Sequence, residues 1–253
     1  MDRRLFTFSL FAFACANAAQ AEDQPWSASI EDGGFDGKDY WLGLAIKLAK
    51  NWKTYWRVPG EGGIPPQIDV VGDNLASIET LFPVPVRLRD EAGESIGYKE
   101  NVVFPVRVSP RDTSLPIKIS ASAFFGVCEI VCIPAQAQAS LSLEPVAQSK
   151  PGTQLVQQWL ARVPRPSEKG PVIAIHAGSE GGTVFLECEL SGPVDDIFVE
   201  GSVRHYFAAP AFSGNRAKMR VAGTKLVDDL KGGSLRIVTS TAGQGLEQKL
   251  TVL

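Results

Sequence analysis

Apolar and polar residues alternate with a period of two over much of the chain. Leu42, Leu44, Ile46 and Leu48 alternate with Trp41, Gly43, Ala45 and Lys47. Val102, Phe104, Val106 and Val108 repeat the pattern. So do Leu115, Ile117, Ile119 and Ala121 against Lys118, Ser120 and Ser122, and then Ala137, Ala139, Leu141 and Leu143. Successive side chains on a strand point to opposite faces, so each run predicts a strand with one face turned to a core. Turn-forming stretches at Pro59–Pro66, Asp90–Ser95 and Ser109–Asp112 separate them. Short strands punctuated in this way predict an all-β sandwich.

The period changes after Glu144. Ser149, Lys150, Pro151 and Gly152 break the alternation, and Leu155, Val156, Trp159, Leu160 and Val163 then share one face of a helix. Pro164 and Pro166 stop that helix. Strand patterns resume at Val172–Ile175, Thr183–Leu190, Ile197–Glu200, Ala217–Val221, Leu235–Thr239 and Leu246–Val252. The expected organisation is a first β domain over 22–145, a connection with one short helix over 146–169, and a second, smaller β-sandwich-like domain over 170–253.

Composition narrows the function. The chain has 253 residues, 44% hydrophobic and 21% charged, enough apolar sequence to build a core. Its 24 glycines and 17 prolines fit many short strands better than long helices. A net charge of −3 and a pI near 5.5 argue against a nucleic-acid partner. The two histidines, His176 and His205, are far apart in sequence and exclude a His-rich metal cluster. Met1–Ala21 reads as an export signal: Arg3 and Arg4, the short apolar run Leu5–Ala14, and the cleavage pattern Ala19-Gln20-Ala21 ahead of Glu22. Cys15 lies within it, with Ala12 where a lipoprotein signal would carry Leu. The rest of the chain has no apolar run long enough to cross a bilayer, so an exported protein in a disulfide-permissive compartment is expected.

Beyond that signal lie three cysteines, Cys128, Cys132 and Cys188. An odd count leaves one thiol free or bonded to another molecule. Cys188 shares a strand face with Val184, Leu186 and Leu190 and is expected to be the buried, unpaired one. Cys128 and Cys132 are neighbours in Phe125-Gly126-Val127-Cys128-Glu129-Ile130-Val131-Cys132-Ile133-Pro134. So short a loop contributes only about 2 kcal/mol as a staple, and short loops can strain a disulfide toward easier reduction. Spacing leaves three uses open: a redox pair, a structural bond in a binding or assembly module, or a Cu(I) site formed by two thiolates. Glu129 lies between the cysteines and no cation lies between Phe124 and Pro134, so the local sequence holds nothing to favour a thiolate. The bond reads as the target of another protein's thiolate.

The segment Phe125–Pro134 resembles the cysteine loop of the amino-terminal periplasmic domain of DsbD-type thiol:disulfide interchange proteins, in particular the ScsB-like branch. Asn51-Trp52-Lys53-Thr54-Tyr55-Trp56-Arg57-Val58-Pro59-Gly60, Gly63-Ile64-Pro65-Pro66 and Gly97-Tyr98-Lys99-Glu100-Asn101-Val102-Val103-Phe104-Pro105-Val106 agree with the same family in order. The resemblance runs over about Ile30–Pro145. Asp195–Gly201 and Phe207–Pro210 resemble the second periplasmic domain of that branch more loosely. The resemblance implies an immunoglobulin-like sandwich in the periplasm whose Cys128–Cys132 pair alternates between dithiol and disulfide. It implies electron transfer from a membrane-embedded thiol reductant to periplasmic thioredoxin-fold proteins, with no cofactor, metal or small-molecule substrate. Family position places Tyr55, Trp56, Asp90, Glu91 and Tyr98 around the pair. The stretch Arg89–Ser95, where DsbD carries an aromatic shield over its cysteines, has no aromatic residue, so shielding is expected from Tyr55, Trp56 or Tyr98.

Overall fold

The computed structural model describes residues 24–60, 62–90, 93–146 and 151–253; the expected export signal with Cys15 lies outside the described residues. The first half holds β1 (Trp26–Phe35), β2 (Tyr40–Leu48), β3 (Lys53–Gly60), β4 (Gln67–Gly72) and β5 (Leu75–Thr80). These are followed by β6 (Val86–Asp90), β7 (Gly93–Lys99), β8 (Asn101–Pro110), β9 (Ile117–Cys128) and β10 (Cys132–Leu143). They form two antiparallel sheets, ordered β1-β2-β8-β5 and β10-β9-β3-β7-β6, with β4 also paired to β9. Alternation decides which face is buried: along β9, Ile117, Ile119, Ala121, Ala123, Phe125 and Val127 are all buried. Their partners across the sandwich include Leu44, Ile46, Val102 and Phe104.

Seven successive residues of β2, Tyr40–Ile46, are buried, because both faces of its sheet are covered. Tyr40, Leu42, Leu44 and Ile46 face the sandwich, whereas Trp41 and Ala45 pack with Val103 against the helix α1 (Pro151–Leu160). A Cβ on Gly43 would stand 2.7 Å from Val156 Cγ2, so the helix lies this close only over a glycine. Fully buried Val156 contributes about 1.5–3 kcal/mol by leaving water. The helix of the expected connection is therefore packed against the first half. Its continuation, β11 (Arg165–Pro166), runs parallel to a strand near the carboxy terminus.

The second half continues with β12 (Val172–Glu180), β13 (Thr183–Leu190), β14 (Asp196–Glu200), β15 (Tyr206–Phe207), β16 (Ala211–Ser213), β17 (Arg216–Ala222), β18 (Ser234–Thr241) and β19 (Gln244–Thr251). Its sheets are β11-β19-β18-β14 and β12-β13-β17-β15, with β16 on β17. Between them lies an apolar cluster drawn wholly from this half, including Ile175, Leu186, Cys188, Ile197, Met219 and Ile237. The other face of β14 and β18 turns to the first half: Phe198 and Val238 join the cluster of Trp56, Phe104 and Phe125. Arg57 bridges to Glu200 at 2.9 Å and Glu247 at 2.7 Å, and Arg87 reaches Asp196 at 3.0 Å. The halves thus share apolar and ionic contacts.

Candidate redox site

The hairpin of β9 and β10 is closed at its tip by a disulfide between Cys128 and Cys132, which stand opposite each other in the ladder. On β9 the side chains of Phe125 and Val127 enter the core, so Cys128 projects from the outer face of the sheet. It is nonetheless only 4% exposed, whereas Cys132 is exposed. The difference arises from a cover on that outer face. The chain between β3 and β4 folds over it, and the Gly126 N–H donates to the Ile64 carbonyl at 3.0 Å.

Strand β3 supplies the floor. Lys53 pairs with Cys128 and Thr54 with Val127, which turns Lys53 and Tyr55 to the cysteine side and Thr54 and Trp56 inward. The Tyr55 hydroxyl lies 3.1 Å from Cys132 Sγ. Gly63 sits over the Tyr55 ring, where a Cβ would come within 2.5 Å of the ring carbons, and its φ of +139° also disfavours any other residue. Lys53 is buried, donates to Ser95 Oγ at 3.0 Å, and has its ammonium 5.9 Å from the Tyr55 ring centre. Gly62, Gly63, Gly93, Glu94, Ser95 and Ile130 join Lys53, Tyr55 and both cysteines around a pocket of about 200 Å³.

One wall of this pocket is tied to the second half. Glu94 accepts from Arg87 at 2.8 Å, from Arg89 at 3.0 Å and from the Tyr206 hydroxyl at 2.9 Å. Burial alone would raise the Glu94 pKa, but the Arg89 and Tyr206 hydrogen bonds and the Arg87 charge outweigh it and hold the carboxylate below its usual value. Asp196 shifts the other way: burial raises it despite the Arg87 guanidinium beside it.

The sequence candidates separate cleanly. Tyr55 touches the pair. Trp56 and Tyr98 instead lie in the core: Trp56 packs on Phe198, and Tyr98 packs on Phe104 and donates to the Pro83 carbonyl at 2.7 Å. Burial pushes the Tyr98 hydroxyl well above its ordinary value, so it stays a neutral donor. Asp90 ends β6 opposite Gly93, its side chain outside the description, and Glu91 lies outside the described residues. Sequence reasoning missed Lys53, Ser95 and Glu94. The stretch Phe124–Pro134 carries no cation of its own, and sheet pairing brings one from elsewhere in the chain, with Lys53 opposite Cys128. Its signal was available: a lysine on the same strand parity as Tyr55 in an otherwise aromatic segment. Cys188 is fully buried and unpaired, and burial with the nearby Glu187 charge pushes its thiol up to about 12. Among the described residues, no three His, Cys, Asp or Glu side chains group to hold a metal, and no helix is long and apolar enough to cross a membrane.

Residues 20–144 match the family described as thiol:disulfide interchange protein DsbD, N-terminal. The crystal structure of the N-terminal periplasmic domain of ScsB from Proteus mirabilis superimposes with a TM-score of 0.67 at 22% identity, covering 90% of this chain and 91% of that one. A titin immunoglobulin tandem, A164-A165, aligns over 90% of this chain and 95% of that one at 11% identity, but with a TM-score of only 0.20. No match was found among curated proteins. The fold is all-β and immunoglobulin-like over the matched region, and residues 20–144 belong to the DsbD amino-terminal domain family.

Proposed function

We propose that the chain is a periplasmic thiol:disulfide interchange module that relays electrons through a reversible Cys128–Cys132 disulfide. It takes them from a membrane-embedded thiol reductant and passes them to thioredoxin-fold partners. The observation that carries this reading is the unequal placement of the two sulfurs: Cys132 is open at a hairpin tip while Cys128 is buried at the pocket floor. A structural staple has no need of an approachable sulfur. An exchange site needs one sulfur open to an incoming thiolate and a sheltered one to leave. Ile130 at 87% exposure and Val131 at 70% stand between the two cysteines at the hairpin tip, an apolar rim suited to a partner's own active-site surface. In this reading residues 22–145 carry the chemistry, 146–169 connect through a helix packed on β2, and 170–253 support the pocket through Tyr206.

The test is a redox titration of the purified protein followed by trapping. An exchangeable bond has a potential above about −300 mV and is opened by a thioredoxin-strength dithiol. The Cys128→Ser variant, which keeps Cys132, then captures a thioredoxin-fold protein as a mixed disulfide. A bond that resists such a reductant, or a protein that unfolds on reduction, returns the pair to a structural role.

A further inference from the structure

The relay reading leaves one group unused: a buried lysine in the same pocket as the disulfide. We propose that Lys53 is a positioning residue for exchange, its ammonium holding the buried Cys128 sulfur as the departing thiolate and so directing the incoming thiolate to Cys132. The inference rests on the relay reading and adds the residue that gives the exchange its direction.

Three observations carry it. Lys53 and Cys128 are directly opposed on neighbouring antiparallel strands, which places their side chains on one face with Cβ atoms roughly 5 Å apart. Both line one pocket, and both are buried, so their interaction is less screened than at the surface. The ammonium is held there by Ser95 Oγ and sits over the Tyr55 ring. Among the described residues, the charged and titratable groups placed around it include Cys128 from β9, Tyr55 from its own strand, and Lys99 opposite it on β7. Glu94 lines the same pocket, its carboxylate engaged by Arg87, Arg89 and Tyr206, and Glu129 lies exposed at the hairpin tip.

A partner thiolate attacks Cys132 Sγ, a new sulfur–sulfur bond forms to Cys132, and the Cys128–Cys132 bond breaks. The electron pair leaves on Cys128 Sγ as thiolate beside the Lys53 ammonium. A second partner thiolate then attacks the partner sulfur of the mixed disulfide, releasing Cys132 as thiolate within reach of the Tyr55 hydroxyl. The partner is oxidised to its disulfide and this chain is reduced by two electrons. In the reverse direction Cys132 attacks the partner's disulfide, and Cys128, kept as thiolate, resolves the mixed disulfide. A free-energy preference for thiolate lowers the barrier for Cys128 to depart in the first direction and keeps it available in the second.

The test reads Cys128 directly. In the Cys132→Ser protein, the rate of iodoacetamide alkylation at the Cys128 peptide is followed by mass spectrometry as a function of pH. Cys188, with its thiol near 12, does not compete. The expected midpoint lies below the ordinary thiol value of about 8.5. Lys53→Met raises it by about one unit, a tenfold loss of thiolate at a given lower pH, and Lys53→Arg restores it. In the protein with both cysteines, Lys53→Met slows opening of the disulfide by a reference thiol about tenfold. An unchanged midpoint in a folded Lys53→Met protein overturns the proposal. Should that variant not fold, the Cys132→Ser curve decides, since a midpoint at or above the ordinary value also overturns it. The relay reading fails separately, if the wild-type bond resists a thioredoxin-strength dithiol, while the alkylation curve remains readable.

Discussion

The two halves of the molecule each carry cysteine on an antiparallel strand, and they place it in opposite surroundings. Cys188 lies in mid-strand on β13, its face shared with Val184, Leu186 and Leu190, and its thiol is buried among Ile175, Ala217 and other apolar neighbours. Nothing there favours a thiolate, and burial raises the thiol to about 12. Cys128 is almost as buried, yet it ends its strand beside Lys53, bonded to an exposed Cys132 that the Tyr55 hydroxyl approaches. In the proposed relay, burial alone does not make a cysteine inert. On that reading, strand parity and the residue across the ladder decide whether a buried sulfur is packing or chemistry.

The sharpest way to break this comparison is to exchange the roles. Cys132→Ser should abolish electron transfer to a thioredoxin-fold partner, whereas Cys188→Ala should leave the rate unchanged, both read in a coupled reduction assay. Any contribution from Cys188 would collapse the distinction. A second effect concerns stability. Cys188→Ser puts a hydroxyl among apolar side chains and should cost about 1–3 kcal/mol in denaturant unfolding. Cys132→Ser, at an exposed hairpin tip, should cost no more than the roughly 2 kcal/mol of its short loop.

Smaller effects sharpen the picture around the reactive pair. Tyr55→Phe removes the hydroxyl beside Cys132 and should shift the equilibrium with a reference dithiol toward the disulfide by about 1 kcal/mol, roughly fivefold. An unmoved equilibrium would make Tyr55 a cover and nothing more. The smallest effect concerns the pocket wall. Glu94 is held below its ordinary pKa in the folded protein, so its stabilisation is complete above the unfolded value and is lost as pH falls through the folded one. Asp196, raised by burial, takes up its proton earlier on acidification and gains folded-state stability as it does so. Glu94→Gln should therefore destabilise the protein near neutrality by about 1 kcal/mol. The difference from wild type should shrink below the ordinary carboxylate range, measured by thermal unfolding across pH. A gap independent of pH would remove the carboxylate charge from the explanation.

Much of the architecture was legible in the chain. The period-two runs located β2 and β8 closely and parts of β9 and β10, the candidate segments of the second half located its six longer strands, with β12 running on to Glu180, and the helical spacing located α1. The pairing of Cys128 with Cys132 and the burial of Cys188 also followed from local order. Strands β1 and β3–β7 were not marked by clean alternation. Segments such as Asn51–Gly60 mix aromatics with charges because their outer face is covered by a loop rather than water. The expected turn at Asp90–Ser95 is narrower in the structure, where Gly93–Ser95 already belong to β7 and wall the pocket.

What the sequence alone determined was parity and proximity: which residues share a strand face, and which cysteines lie close enough to bond. These depend on the backbone's own geometry, where side chains alternate every residue and a four-residue separation spans one tight turn. The tertiary structure decided the rest. Sheet order set Lys53 opposite Cys128, 75 positions away, and turned Trp56 and Tyr98 inward while Tyr55 stayed with the sulfurs. It also carried Tyr206 of the second half onto Glu94. Strand pairing joins residues by position in a ladder rather than in the chain, and the register that minimises exposed apolar surface across both sheets is a property of the whole fold.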